Sequence, residues 1–241
     1  AVSALRAGAG AATLASDSDS LLVNASHLTS VMLKEINNAD DFFNFVKEKK
    51  INTLIIGPGC GVNQITKELV IRAIKSEISF VLDADGLTLF QKNPNELFDL
   101  LNKRRKRENI ILTPHEGEFN RLFDFGKMSK IDKANRAANI TKSTILFKGN
   151  DTIISSPKKI SLITKDSSSF LATAGSGDVL SGICGSFLGQ GMKSHYAAAA
   201  ASWIHNEIGL DAGPGLIAED MNKFISKIMS KKLKRIYENG N

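Results

Sequence analysis

Cysteine is nearly absent. The two in 241 residues, Cys60 and Cys184, lie far apart in separate glycine-rich stretches. They form neither a disulfide framework nor a metal-ligand spacing, and a reducing, cytoplasmic compartment is the simplest expectation. Apolar runs of membrane-spanning length are also missing. The alanine-rich Ala197–Ala201 gives way almost at once to His205, Asn206 and Glu207, far short of the roughly 20 apolar residues a spanning helix needs. No charged leader, apolar core and cleavage pattern is found. No aromatic residues are interleaved with the basic clusters and no DNA- or RNA-binding motif occurs, so neither nucleic acid nor membrane is an expected partner.

Proline is scarce too, five residues against nineteen glycines, which suits a fold with tight turns between strands and helices. Hydrophobic residues make up 42% and charged residues 23%, ordinary globular values that rule out a disordered chain. The length fits one substantial α/β domain, and a single domain over residues 1–241 is expected. The net charge is +6. Much of the excess sits in Lys103–Arg107 and in the tail from Lys227 to Arg235. The first reads as a solvated helix end complementing the helix dipole, the second as an amphipathic terminal helix with a basic face.

Short apolar runs alternate with helical patterns. The expected strands are Thr53–Gly57, Phe80–Asp83, Ile110–Thr113, Thr144–Lys148, Thr152–Ser155 and Ile160–Ile163. Helices are expected at Ile65–Lys75, Asn95–Lys103, Lys133–Thr141, Asp178–Leu188, Ser194–Ile208 and Ala218–Ser230. This spacing predicts a mostly parallel sheet covered on both faces. The last three strands have no helix between them and predict an antiparallel excursion. In such sheets ligands bind beyond the carboxyl ends of the strands, where four polar motifs fall in turn.

The strongest chemical motif is Ala172–Gly182, ATAGSGDVLSG. Gly175, Ser176 and Gly177 can turn the chain and present backbone N–H groups at a helix N-terminus, an anion site. Asp178 follows in the first helical turn. A helix cap is about as good a reading of Asp178 alone as a base that accepts a hydroxyl proton during phosphoryl transfer. Gly57–Gly61, GPGCG, leaves room for close approach to the backbone, as any tight strand–helix turn does. Asp83 and Asp85 in VLDADGL read as pocket support or as the surroundings of a hydrated metal, Asp83 more as support. In TPHEGEF, His115 gains weight from its place at the ligand edge, which His27, His195 and His205 lack. Lys148–Thr152, KGNDT, offers an ammonium, a glycine turn and a hydroxyl to a nucleotide, or forms an ordinary hairpin turn.

In order, GPGCG, DADGL, TPHEGE, KGNDT, GSGDVLSG and AAAAASWIH resemble the motifs of the NAD(P)H-hydrate dehydratases, ribokinase-like proteins that carry GPGLG, DADAL, TPHPGE, KG-x-x-T, GSGD-x-L-x-G and a late alanine-rich helix with histidine. The resemblance covers nearly the whole chain and implies a three-layer α/β/α fold. It implies phosphorylation of the hydroxyl of (6S)-NAD(P)H hydrate by ADP, or by ATP, with magnesium, followed by elimination of phosphate. Asp178 would contact the hydrate and act as base. Gly61 (or Gly59) and His115 would hold the hydrate, and Lys148, Gly149, Asn150, Asp151, Thr152, Gly175, Ser176 and Gly177 would line the nucleotide site. It also implies a homo-oligomer. Against the family pattern the chain opens at AVSALRAGAG, inside a helix, so the family's first strand is expected to be missing. A small-molecule kinase of the same superfamily and a nucleotide-binding remnant without activity are the alternatives.

Overall fold

The computed structural model describes residues 1–105, 109–165 and 167–239. Two strands and three helices come first: α1 (Val2–Arg6), β1 (Thr13–Ser16), α2 (Ser18–His27), β2 (Met32–Glu35) and α3 (Ala39–Glu48). Strand–helix units follow: β3 (Thr53–Ile56), α4 (Gln64–Lys75), β4 (Ser79–Leu82), α5 (Ala84–Thr88), α6 (Pro94–Lys103), β5 (Ile110–Leu112), α7 (Glu116–Leu122), α8 (Lys130–Thr141) and β6 (Thr144–Phe147). Then come β7 (Thr152–Ser155), β8 (Leu162–Thr164), α9 (Ser176–Gly189), α10 (Ser194–Ala212) and α11 (Ala218–Asn239).

The main sheet runs β3-β4-β5-β6-β7-β8. β3 to β6 are parallel, and β7 and β8 add antiparallel to the edge, as the helix-free spacing predicts. Alternate side chains face opposite layers, as the two-residue period of a strand requires. Phe80, Leu82, Ile110, Leu112, Ile145 and Phe147 pack with α3 to α8. Val81, Ile111, Leu146 and Ile154 pack with α9, α10 and α11. A sheet buried on both faces between helix layers is the expected three-layer α/β/α arrangement. No helix among the described residues is long and apolar enough to cross a membrane.

Several details differ from the sequence reading. β1 and β2 form a separate parallel two-stranded sheet, and α2 beside them buries no residue. Their side chains are half-buried or exposed throughout, so they lack the apolar run by which strands are recognised. The last strand begins at Leu162, two residues late. Ser161 Oγ meets Ser155 Oγ at 2.7 Å and donates to Asn135 Oδ1, and Ile160 is left 86% exposed.

The basic stretch after α6 is not uniformly solvated. Lys103 and Arg105 are exposed, but Arg104 is buried. Its guanidinium donates to the carbonyls of Ala73, Ile74, Ser76 and Ile78 at the end of α4 and lies over the Phe80 ring. Lys106 and Arg107 lie outside the described residues. The terminal helix extends past Ser230 and buries Met221, Ile225 and Ile228.

Candidate functional site

The parallel strands β3 to β6 end side by side, and their C-terminal loops face the start of α9. Gly57 has a φ of +132°, and a Cβ there would lie 1.7 Å from the Asp83 carbonyl oxygen. Only glycine lets the β3 loop lie against the β4 loop. Gly61 N–H donates to Asp85 Oδ2 at 2.9 Å, tying the two loops together.

Asp83, 1% exposed, is the hub. Its Oδ1 accepts from Lys148 Nζ at 2.8 Å and from the Ala84 N–H at 2.9 Å, and its Oδ2 from Ser181 Oγ at 2.6 Å. The carboxylate thus joins the ends of β4 and β6 to the second turn of α9. Lys148 also lies 4.0 Å from Glu118 Oε2. On its other side, a Cβ built on Gly177 would come within 3.3 Å of Lys148 Nζ, so this ammonium stands at the turn that opens α9.

That turn begins at Gly175, left-handed with φ +79°. Ser176 and Gly177 are the first two residues of α9, and no side chain caps it. Val179 N–H reaches back to the Gly175 carbonyl, leaving the amides of Gly177 and Asp178 as the helix's characteristic unpaired donors. Asp178 is exposed, and its carboxylate makes no hydrogen bond among the described residues. Desolvation raises its pKa above the usual carboxylate range, and the neighbouring Asp83 carboxylate adds to this against the pull of Lys148. An unengaged carboxylate beside free amides and an ammonium is equipped to accept a proton while an anion is held.

His115 is the N-cap of α7. Its Nδ1 accepts from the amides of Gly117 and Glu118 at 3.0 and 3.3 Å, and Glu118 Oε2 accepts from the His115 N–H at 2.9 Å. With Nδ1 accepting, Nε2 carries the proton. Nε2 lies 3.5 Å from Glu118 Oε1. The capping role does not remove His115 from the cleft. It lines a cavity of about 630 Å³ with Glu116, Met128, Lys130, Lys133, Phe147, Lys148, Gly149, Asn150 and Asp151.

Within the KGNDT stretch the side chains take different parts. Asp151 is engaged by Lys130, whose Nζ donates to its carbonyl at 2.6 Å and lies 3.3 Å from Oδ1. Thr152 is buried and donates its hydroxyl to the Gly149 carbonyl at 3.1 Å, closing the turn. Gly59 stands apart, with open space where a side chain would be. Lys130 and Lys133, in the first turn of α8, line the cleft and were not singled out from sequence, because lysines at a helix start give no motif. His205 has no motif neighbours along the sequence, yet its Nε2 lies 2.8 Å from Ser176 Oγ and 3.0 Å from the Ser176 carbonyl oxygen. Only the packing of α10 on α9 reveals this.

No cluster of three His, Cys, Asp or Glu side chains that could hold a metal occurs among the described residues. Asp83 is fully engaged, while one oxygen of Asp85 has no partner among the described residues. This donor set suits a magnesium ion brought by phosphates and keeping its waters, not one held in a protein cage.

A profile of the NAD(P)H-hydrate dehydratase family matches residues 1–230. The chain belongs to that family. It is 37% identical over 164 residues to a bifunctional NAD(P)H-hydrate repair enzyme of Synechocystis, covering 67% of this chain and 30% of that protein. It is 34% identical over 167 residues to an ADP-dependent (S)-NAD(P)H-hydrate dehydratase of Neisseria meningitidis, covering 66% of this chain and 54% of that one. The chain therefore matches well under two thirds of either relative's length. Among solved structures, a ribokinase-like superfamily protein of Enterococcus faecalis superposes with a TM-score of 0.81 at 20% identity, over 95% of this chain and 80% of that one. An ADP/ATP-dependent NAD(P)H-hydrate dehydratase of Bacillus subtilis, co-crystallised with ATP and magnesium, superposes with a TM-score of 0.74 at 19% identity, over 95% and 82%. At these identities what is shared with the dehydratase family's solved members is the ribokinase-like fold.

Proposed function

We propose that this chain restores NAD(P)H from its (6S)-hydrate, using ADP as phosphoryl donor and releasing AMP and phosphate. Asp178 takes the proton of the hydrate's hydroxyl as that oxygen attacks the terminal phosphorus. The amides of Gly177 and Asp178 and the Lys148 ammonium receive the phosphoryl oxygens. The C–O bond to phosphate then breaks, the adjacent ring carbon gives up a proton to solvent, and the double bond of the reduced nicotinamide is restored. Gly61 and His115 hold the hydrate, with Gly59 leaving open space at the loop. Gly149, Asn150, Asp151 and Thr152 form the nucleotide loop with Gly175 and Ser176. Magnesium would be carried by the nucleotide's phosphates, with Asp85 as the carboxylate that would help hold it, and would supply neutralising charge there.

The observation that carries this reading is the unengaged Asp178 carboxylate with a raised pKa in the first turn of α9. A general base works best with a pKa nearer the operating pH than an ordinary carboxylate has. The same reading includes a cytoplasmic setting, supported by two free, unpaired cysteines, and a homo-oligomer, supported by the exposed apolar edge strand β8 with Leu162 and Ile163. The deciding experiment gives the purified chain (6S)-NADH hydrate, magnesium and either ADP or ATP, and follows the near-ultraviolet absorbance of NADH. Recovery of absorbance supports the dehydratase and names the donor. A stable phosphorylated alcohol from a vitamin-like substrate would favour a kinase. A folded chain that binds nucleotide without turnover would be a binding remnant.

A further inference from the structure

His205 is a half-buried titratable group that the reaction above does not use. It sits on α10, which packs beside α9 in the same layer, and meets the glycine-rich turn at Ser176. Burial holds its imidazole neutral, with the pKa pushed down to about 4 against the opposing bond to Ser176, and Lys148 adds to the lowering. A neutral imidazole carries one proton, on one nitrogen. The carbonyl oxygen of Ser176, 3.0 Å from Nε2, can only accept, so that contact is a hydrogen bond only when the proton is on Nε2. Nε2–H then points at both oxygens of Ser176, the carbonyl and the hydroxyl at 2.8 Å.

The carbonyl of Ser176 and the amide of Gly177 belong to one peptide unit. In a planar trans peptide the C=O and the following N–H point in opposite directions. A donor that fixes the carbonyl on the α10 side therefore fixes the Gly177 N–H on the side away from α10, in a residue whose Cβ position lies 3.3 Å from Lys148 Nζ. The unit is otherwise held only by the first turn of α9, preceded by a left-handed glycine and without a side-chain cap. Without His205 only the helical geometry of this turn would restrain the peptide.

We propose that His205 is a positioning residue, whose Nε2–H holds the Ser176–Gly177 peptide so that the Gly177 amide is aimed at the phosphoryl group of the bound nucleotide. The proposal rests on the dehydratase reading for the identity of the anion. It assigns His205 no contact with substrate. It predicts that a side chain placing an N–H at the same reach replaces histidine, whereas an apolar one of equal length does not.

The test compares His205→Gln with His205→Met in the full chain, since the two side chains differ little in length but only glutamine carries an N–H donor. ADP affinity is read by titration calorimetry, kcat and KM by NADH recovery, and folding by thermal unfolding. His205→Met should lower kcat by about tenfold to a hundredfold, the range below or at the loss of a direct oxyanion donor, and weaken ADP binding, with KM for the hydrate unchanged. His205→Gln should recover most of both. A folded His205→Met with kcat and ADP affinity within about twofold of wild type, or a folded His205→Gln as impaired as methionine, overturns the proposal. Should His205→Met not fold, exchange of the Gly177 amide with solvent in the wild type decides. It should slow markedly on adding ADP, and unchanged exchange overturns the proposal. Wild-type turnover tests the dehydratase reading separately. A chain that binds ADP but does not restore NADH sinks that reading while the ADP affinities still judge His205. A chain that binds neither nucleotide overturns both.

Discussion

Lys148 Nζ lies 2.8 Å from Asp83 Oδ1, joining the end of β6 to the end of β4 across the end of β5. The pair is more than an ion pair in the core. Asp83 is 1% exposed, whereas the lysine side chain is 18% exposed and reaches the cleft. The cation therefore has a close oxygen partner in Asp83 and a more distant one in Glu118, and is approachable on the side of Gly177. An anion arriving at the α9 turn shares an ammonium already oriented by Asp83, whose second oxygen is fixed by Ser181.

Lys148→Met should therefore cost both stability and activity. It leaves a buried carboxylate without its counter-charge, and breaking a buried pair by removing one partner costs about 3–5 kcal/mol. The loss should fall near the lower end, because Ser181 and the Ala84 amide still bond Asp83. Urea denaturation measures it. Adding Asp83→Asn removes the stranded charge, so the double variant should be more stable than the sum of the two single losses allows. Additive losses would mean that the contact carries no coupling.

Asp178→Asn should abolish turnover, by at least about a hundredfold, while ADP binding and the fold survive. It should also affect stability in a pH-dependent way. A carboxyl whose folded-state pKa is raised binds its proton more tightly in the folded chain. Its contribution is present below the ordinary carboxylate pKa and is lost as pH rises through the raised value. The asparagine variant should thus melt slightly higher than wild type at neutral pH, and the difference should vanish in acid. A variant that is active, or that melts lower at neutral pH and equally in acid, contradicts the base assignment.

The layers and the ligand edge were legible in the sequence because β3 to β7 are predominantly apolar runs, broken only by Thr and Ser, and the glycine and carboxylate motifs sit at their ends. Phe80 to Leu82 and Ile110 to Leu112 are buried whichever face they point to, and such strands announce themselves. β1 and β2 were not legible, since strands half-exposed on both faces carry no periodic signal. Neither Arg104 nor His205 could be assigned from sequence. Each acts through a distant segment, α4 for the first and α9 for the second, and no spacing along the chain encodes that contact. Asp83 could be read as pocket support, but its partners Lys148 and Ser181, 65 and 98 residues away, could not.

Two glycines in one loop should respond very differently to alanine. At Gly57 the new Cβ would meet the Asp83 carbonyl at 1.7 Å, in a positive-φ conformation. Backbone cannot yield as a flexible side chain does, so the β3 and β4 loops must separate and carry Asp83 with them. Gly57→Ala should lose several kcal/mol, beyond the roughly 1–2 kcal/mol of a left-handed alanine alone, and its activity with it. Gly59, at φ +66° with open space around it, should lose only the conformational part. Equal effects in a denaturation series would show that crowding at Asp83 is not what requires Gly57.

Arg104→Met is expected to be the most destabilising change outside the site. One guanidinium serves four carbonyls, of Ala73, Ile74, Ser76 and Ile78. Methionine fills much of the volume but donates nothing. An unsatisfied buried acceptor costs about 1–3 kcal/mol. Water can reach some of these carbonyls once the side chain is gone, so the total should be about 3–4 kcal/mol and not the sum of four. Arg104→Lys should recover only part, because a single ammonium cannot span carbonyls distributed around the end of α4 as the planar fork does. The end of α4 leads into the start of β4, whereas the α9 turn lies at the opposite, C-terminal end of the parallel strands. Loss of stability should therefore appear in denaturation midpoints while kcat, measured well below the melting temperature, stays near wild type. A fall in kcat without a fall in stability would connect this end of the sheet to the site in a way the hydrogen bonds do not.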